Sequence, residues 1–262
     1  MVTTDSLTTE PPDSLSRAGG VSIAYHKVAG QKPGLMFCGG FMSDMTGTKA
    51  TALEAYARRR EQAFVRFDYQ GHGASSGDFK DGTIGLWAED AIAVLDEVAE
   101  GPQILIGSSM GGWVMLLAAL ARPERIAGLI GIAAAPAFTE DLMWDRYGPE
   151  IRETLQRDGI YQEPSEYSEE PYTITMGLIE DGRQRLLLRE PIPIACPVRL
   201  IHGTADDAVP YETSLQLMER LESDDVEVVL VKDGDHRLSE PADLTRLEGA
   251  VDALLQSVEH SD

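Results

Sequence analysis

The sequence predicts an α/β fold: a mostly parallel sheet with helices on both faces and a helical cap inserted between two strands. Three observations predict it. Short apolar, β-rich runs alternate with helical stretches along most of the 262 residues, as repeated βαβ units do. One of those runs, Gln103-Ile104-Leu105-Ile106, passes through Gly107-Ser108-Ser109-Met110-Gly111 straight into a helix-forming stretch, Trp113 to Ala121. The alternation then fails once, between about Phe138 and Pro193, over a stretch too long to be a plain loop in a compact domain.

Taken in order, Val21 to Val28 alternates like a strand at a sheet edge, while Gly34 to Cys38 is continuously apolar, like a strand buried on both faces. Lys49 to Arg60 has helical spacing, with Leu53 and Tyr56 on one face. Ala63 to Phe67 is the next strand. In the following helix, Thr83 to Val98, the residues Ile84, Trp87, Ala91, Val94, Leu95 and Val98 recur every three to four positions. The strands Ile104–Ile106 and Ala127–Ile132 bracket the Gly-x-Ser-x-Gly turn and its helix. Between them and the strand Val198–His202 lie three helical pieces, Leu142–Tyr147, Ile151–Arg157 and Ile174–Arg189, broken by Pro149, Pro164 and Pro171. This region leaves one strand's carboxyl end and re-enters before another, which places it over that edge of the sheet. The strand Val226–Val231 and a helix from Leu244 to Val258 complete the chain. The expected organisation is a disordered tail (1–20), a core (21–138 and 191–262) and a cap (139–190).

Composition excludes several classes. Acidic residues number 44 against 22 basic, a formal charge of −22, which repels nucleic acid and anionic membranes. No apolar run reaches the ~18–20 residues of a membrane span. The first twenty residues carry Asp5, Glu10, Pro11, Pro12 and Asp13 but no apolar signal core, and their acidity speaks against a transit peptide, so a cytoplasmic protein is expected. Cys38 and Cys196 have neither C-x-x-C nor metal-ligand spacing and read as reduced, buried thiols. There is no G-x-x-x-x-G-K-[ST], no G-x-G-x-x-G after the first strand and no H-E-x-x-H. No cofactor and no metal is expected. The expected partner is a small-molecule or acylated substrate, and the sequence leaves the oligomeric state open.

The chemistry centres on Ser109. A strand, Gly-x-Ser-x-Gly and a helix in immediate succession form a nucleophile elbow, which holds the serine out at the carboxyl edge of the sheet. A serine hydroxyl needs a base within hydrogen-bond reach and a group to orient that base. Of five histidines, His26 lies on the early edge strand, His260 is near the C-terminus, His202 shapes the turn before Gly203, and His72 belongs to a structural loop, Gly71-His72-Gly73. His236 follows the last strand in Asp233-Gly234-Asp235-His236-Arg237 and is the candidate base. The loop after Val198–His202 offers Asp206 as its partner, with Asp207 as the alternative. An oxyanion hole needs two backbone N–H groups. The N–H of Met110 at the helix N-terminus is one candidate, and that of Phe41 in Gly39-Gly40-Phe41-Met42 is the other. Met42, Trp113, Met143 and Trp144 are candidate linings of an acyl pocket.

These residues resemble an α/β-hydrolase, from Val21 to near the end of the chain. Within that superfamily they are similar to the group of mitochondrial palmitoyl-protein thioesterases also described as acyl-glucuronide esterases. The resemblance rests on Arg66-Phe67-Asp68-Tyr69, on Gly101-Pro102-Gln103-Ile104-Leu105 running into Gly107-Ser108-Ser109-Met110-Gly111-Gly112-Trp113, on Ala121-Arg122-Pro123-Glu124, on Cys196-Pro197-Val198-Arg199-Leu200 into His202-Gly203, and on Asp235-His236-Arg237. It implies a Ser109–Asp206–His236 triad, favours Asp206 over Asp207, and implies cofactor-free hydrolysis of carboxylic esters or thioesters through an acyl-enzyme on Ser109. Gly39 stands where the group has proline, and the cap matches poorly. The alternatives are a non-catalytic ligand-binding module on the same fold, or a triad enzyme with amidase, lyase or perhydrolase activity.

Overall fold

Eight strands form one sheet in the order β1-β2-β4-β3-β5-β6-β9-β10. They are β1 (Asp13–Ser16), β2 (Ser22–Val28), β3 (Gln31–Cys38), β4 (Gln62–Phe67), β5 (Gln103–Ser108), β6 (Ile126–Ile132), β9 (Val198–Gly203) and β10 (Val226–Val231). The structure, a computed structural model, describes residues 11–164 and 171–259. From β4 to β10 every pairing is parallel; β2 pairs antiparallel with β1 and β4. The register Leu35↔Ile104, Ile104↔Gly128 and Leu129↔Val198 brings the ends of β3, β5, β6 and β9 to one edge.

Side chains alternate across each strand, so each continuous apolar run feeds two cores. Met36, Cys38, Leu105, Leu129 and Leu200 face one layer, built with α2 (Ile84–Glu97), α3 (Met110–Ala121) and α6 (Glu212–Arg220). Leu35, Phe37, Ile104, Ile106, Ile130 and Ile201 face the other, packed on α1 (Thr48–Arg60) and α7 (Pro241–Glu259). Both faces are covered, which is why the central strands carry almost no polar residues.

Four sequence expectations are corrected. The N-terminal segment, expected to be disordered through residue 20, forms β1 from Asp13 to Ser16; residues 1–10 of that expectation lie outside the described residues. β1 pairs with β2, so the Val21–Val28 run is one strand in from the edge. Arg17 anchors this segment through an ion pair with the fully buried Asp90, a long-range contact that composition cannot reveal. α6 was not anticipated, because its nine residues bury only Ser214 and Leu217. The cap is not purely helical. It holds a π-helical turn (Phe138–Trp144), α4 (Pro149–Asp158), an antiparallel hairpin of β7 (Ile160–Glu163) with β8 (Tyr172–Thr175), and α5 (Met176–Arg183). Tyr172-Thr173-Ile174-Thr175 carries the β-branched signal of a strand, which the flanking prolines obscured. The cap has its own small core of Tyr147, Leu155, Ile174 and Ile179.

Candidate active site

β5 delivers Ser109 to the sheet edge in a conformation few residues adopt, φ 54° and ψ −118°. Such strain persists only where surroundings over-determine it. Here Ser109 N–H donates to Ile132 O (2.9 Å), and its carbonyl accepts from Gly112 N (2.9 Å) and Ala135 N (3.1 Å). The flanking glycines are required by close approach. A Cβ on Gly107 would lie 2.4 Å from Gly111 O, and one on Gly111 would lie 2.0 Å from Cys38 O.

Ser109, His236 and Asp206 come together from three loops. His236 Nε2 lies 3.1 Å from Ser109 Oγ, and His236 Nδ1 lies 2.8 Å from Asp206 Oδ2. The Asp206 side chain is fully buried and that of His236 is 17% exposed. Burial alone pushes the Asp206 carboxyl up; hydrogen bonds from His202 and His236 and from Val209 N outweigh it and hold the group well below the usual carboxylate range. Asp206 is therefore an anion throughout the neutral range, as a partner for an imidazole that gains a proton should be. Asp206 Oδ1 also accepts from Ala208 N (3.0 Å) and Val209 N (2.8 Å). Asp207, the alternative, is exposed. The His236 loop is tied to the acid loop by Ala205 N–H to Gly234 O (3.0 Å) and Asp233 N–H to Thr204 Oγ1 (2.9 Å). From α1, Lys49 Nζ donates to Arg237 O.

The Gly39–Met42 segment faces the elbow, since a Cβ on Gly40 would stand 3.7 Å from Ser109 Cβ. It is a turn closed by Ser43 N–H to Gly40 O (3.2 Å), with Met42 at φ 52°. Phe41 occupies the second position, whose N–H such a turn does not use. Met110 begins α3, and a helix's first N–H has no acceptor within the helix. The Phe41 ring is held on four sides, by Phe79 (5.0 Å), Trp87 (6.0 Å), Phe138 (5.7 Å) and Tyr172 (5.9 Å).

The four candidate pocket residues do not form one lining. Met42 lies in the Phe41 turn and is 37% exposed. Trp113 is fully buried; its Nε1 donates to Arg185 O (3.0 Å) and its ring meets Phe138 edge-on, so it braces α3 against the cap. The Trp144 ring is stacked by the guanidiniums of Arg152 (5.2 Å) and Arg183 (4.5 Å). Met143 packs beside it between the cap core and the main core. Apolar side chains in the sequence do not say whether they serve packing or substrate, and here three of the four are engaged in packing.

His72 sits in an aromatic nest of Tyr69, Phe79 and Trp87, and burial lowers its imidazole to about 4. His26 stands opposite Arg66 in the β2–β4 register, and His260 lies outside the described residues. The residue sequence reasoning underrated is His202. Fully buried, it contacts Asp206 directly. The sequence places it four residues before the acid on the same strand end, and the structure supplies the contact that this spacing alone does not decide. Among the described residues, no group of three His, Cys, Asp or Glu side chains is placed to hold a metal ion, and no helix is long and apolar enough to cross a membrane.

Comparison with known proteins identifies the family and the fold. The alpha/beta hydrolase family profile matches residues 35–247. Human palmitoyl-protein thioesterase ABHD10, mitochondrial, is 42% identical over 245 residues, covering 93% of this chain and 80% of the human protein. The mouse alpha/beta hydrolase domain-containing protein 10 structure superposes with a TM-score of 0.87 at 41% identity, covering 95% of this chain and all of that one. A hydrolase-fold crystal structure from Agrobacterium vitis S4 superposes at 0.88, also at 41% identity, covering 94% and 99%. The expectation of a cytoplasmic protein is overturned by these comparisons, since relatives 41–43% identical to this chain are named mitochondrial. The expectation rested on the charge and polarity of the first twenty residues, and the composition of so short a segment does not fix the compartment of the protein.

Proposed function

The chain belongs to the alpha/beta hydrolase family and is a carboxylic ester or thioester hydrolase, and we propose that Ser109, His236 and Asp206 perform that hydrolysis on long-chain acyl thioesters. One observation carries the reading: a serine in a strained elbow, 3.1 Å from an imidazole nitrogen whose opposite nitrogen lies 2.8 Å from a buried carboxylate. His236 Nε2 takes the Ser109 proton as Oγ attacks the acyl carbonyl. The N–H groups of Phe41 and Met110 receive the oxyanion, with the α3 dipole adding to the second. Imidazolium then protonates the leaving group. A thiolate, with a pKa of about 8.5 against the far higher value of an alkoxide, leaves with less help. Water deprotonated by His236 attacks the acyl-enzyme and frees Ser109.

The thioester preference, and a palmitoyl chain on a protein cysteine as its natural form, follow the name of the human relative. The test has two stages. A fluorophosphonate probe should label the wild type and not Ser109→Ala; equal labelling of the two refutes the triad. Matched oxygen esters and thioesters from C4 to C16 should then give the highest kcat/KM for long-chain thioesters. A short-chain oxygen-ester optimum refutes the substrate and leaves the triad standing.

A further inference from the structure

Asp206 is touched by two imidazoles, and only one belongs to the triad. The other, His202, is the fifth residue of β9 and has no exposed surface. Its Nε2 faces two acceptors, Asp206 Oδ2 at 3.1 Å and Val209 O at 3.0 Å. A nitrogen between two oxygens of this kind must carry the hydrogen. Its Nδ1 lies 2.7 Å from Ser214 Oγ on α6, a hydroxyl able to donate to it. The ring is thus fixed at both ends, and its Nε2–H points at the oxygen that also receives His236 Nδ1–H.

We propose that His202 is a positioning residue for the hydrolysis, resting on the triad reading above: it locks the Asp206 carboxylate in the plane that meets His236 and draws off part of its charge. Asp206 Oδ1 is held by two backbone N–H groups and Oδ2 by two imidazoles. Without His202, the carboxylate keeps only His236 on Oδ2 and presents its charge to that ring alone. A more concentrated negative charge favours the imidazolium. His236 then holds a proton to higher pH, where it cannot act as base, and yields that proton less readily to the leaving group. His202 and His236 are the titratable groups that face Asp206, and Asp206 and Ser109 are the triad groups that face His236. A histidine that merely filled the core would affect folding and leave the pH profile alone.

Two substitutions separate these roles. His202→Gln keeps an N–H near the position of Nε2, and His202→Leu removes it. With kcat and KM measured from pH 5 to 9 on a soluble thioester, His202→Leu should lose about 10- to 100-fold in kcat, by analogy with partners that orient metal-bound side chains. Its KM should stay within about twofold and the acid limb of kcat/KM should move up by roughly half a pH unit. His202→Gln should keep the wild-type limb and most of the rate. A folded His202→Leu enzyme with the wild-type limb overturns the inference, as does a His202→Gln enzyme with the same losses as His202→Leu. If His202→Leu does not fold, Ser214→Ala decides: releasing Nδ1 should shift the limb in the same direction by a smaller amount, and an unmoved limb overturns the inference. Ser109→Ala runs alongside. If it abolishes labelling while His202→Leu behaves as wild type, the triad stands and only His202 is refuted.

Discussion

Ser109, Asp206 and His236 stand on loops fastened by backbone hydrogen bonds, including Ser109 N to Ile132 O, Gly112 N and Ala135 N to Ser109 O, and Ala205 N to Gly234 O. The cap above them is joined to the core by bonds that use side chains, Asp181 Oδ2 accepting from Gly85 N (2.7 Å) and Trp113 Nε1 donating to Arg185 O (3.0 Å), and its own pieces are tied together by Arg183 to Glu140 (2.6 Å) and Arg189 to Asp141. Backbone bonds survive most substitutions and fix positions closely. Side-chain bonds disappear with the residue that makes them. Changes at the sheet edge should therefore appear as lost chemistry with intact folding, and changes in the cap as altered binding, substrate range or local stability.

The largest effects test the first half of that contrast. Asp206→Asn should lower kcat by about 10⁴-fold, because the wrong imidazole tautomer is held toward Ser109. Unfolding midpoints should move far less than activity; a variant inactive only because it is unfolded would break the contrast. The oxyanion turn comes next. Phe41→Pro removes the N–H at the turn position that tolerates proline and should cost about 10²- to 10³-fold in kcat. It also removes the ring, so Phe41→Ala, which keeps the N–H, is the control. If alanine costs as much as proline, the ring matters and the N–H does not.

The placement of the candidate site was more legible in the sequence than its surroundings, for a physical reason. A nucleophile elbow needs glycine at fixed offsets, and Gly107 and Gly111 stand there because the chain passes so close to itself that a Cβ at either position would overlap a backbone oxygen. Parallel strands buried on both faces need unbroken apolar runs, and β3 from Gly34, β5 from Ile104 and β6 show them. The histidine and acid loops follow from strand order, since the groups that act must leave the same sheet edge. Cap packing has no such rule. Trp113 and Trp144 were candidates for lining a pocket, yet one is a buried brace and the other lies between two arginines. Which large apolar residue faces substrate depends on contacts many residues apart. His202 escaped for another reason: a histidine before glycine at a strand end has several structural uses, and only the distance to Asp206 separates them.

A stability effect on the scaffold should follow in size. Glu54 and Arg66 form a buried ion pair at 2.5 Å, with side chains 1% and 3% exposed, and Arg58 also donates to Glu54. Burial would raise the Glu54 carboxyl, but the bonds from Arg58 and Arg66 outweigh it and leave the group lowered. A lowered carboxylate contributes stability in full above its unfolded pKa, about 4.3, and loses it as pH falls through the folded value. Removing one partner of such a pair costs about 3 kcal/mol or more. Glu54→Gln should thus be much less stable than wild type at pH 7, with the gap narrowing below about pH 4. Urea unfolding across that range measures it, and a gap independent of pH would show that packing, not the ion pair, carries the effect.

The smallest expected effect tests where the two regions meet. The Phe41 ring is gripped from the core by Phe79 and Trp87, and from the cap by Phe138 and Tyr172. Phe41 also carries the candidate oxyanion N–H, so the cap reaches that N–H through two aromatic contacts on one ring. Tyr172→Ala deletes the contact contributed by β8 and leaves the other three rings in place. An edge-on aromatic pair is worth roughly 0.5–1.5 kcal/mol beyond its buried area. If that energy steadies the turn, kcat should fall about two- to tenfold, on short-chain substrates that barely touch the cap as well as on long ones. If the cap serves only to bind the acyl chain, KM for long chains should rise and kcat for short chains should not change. The first result would join the two regions at Phe41, and the second would keep them separate.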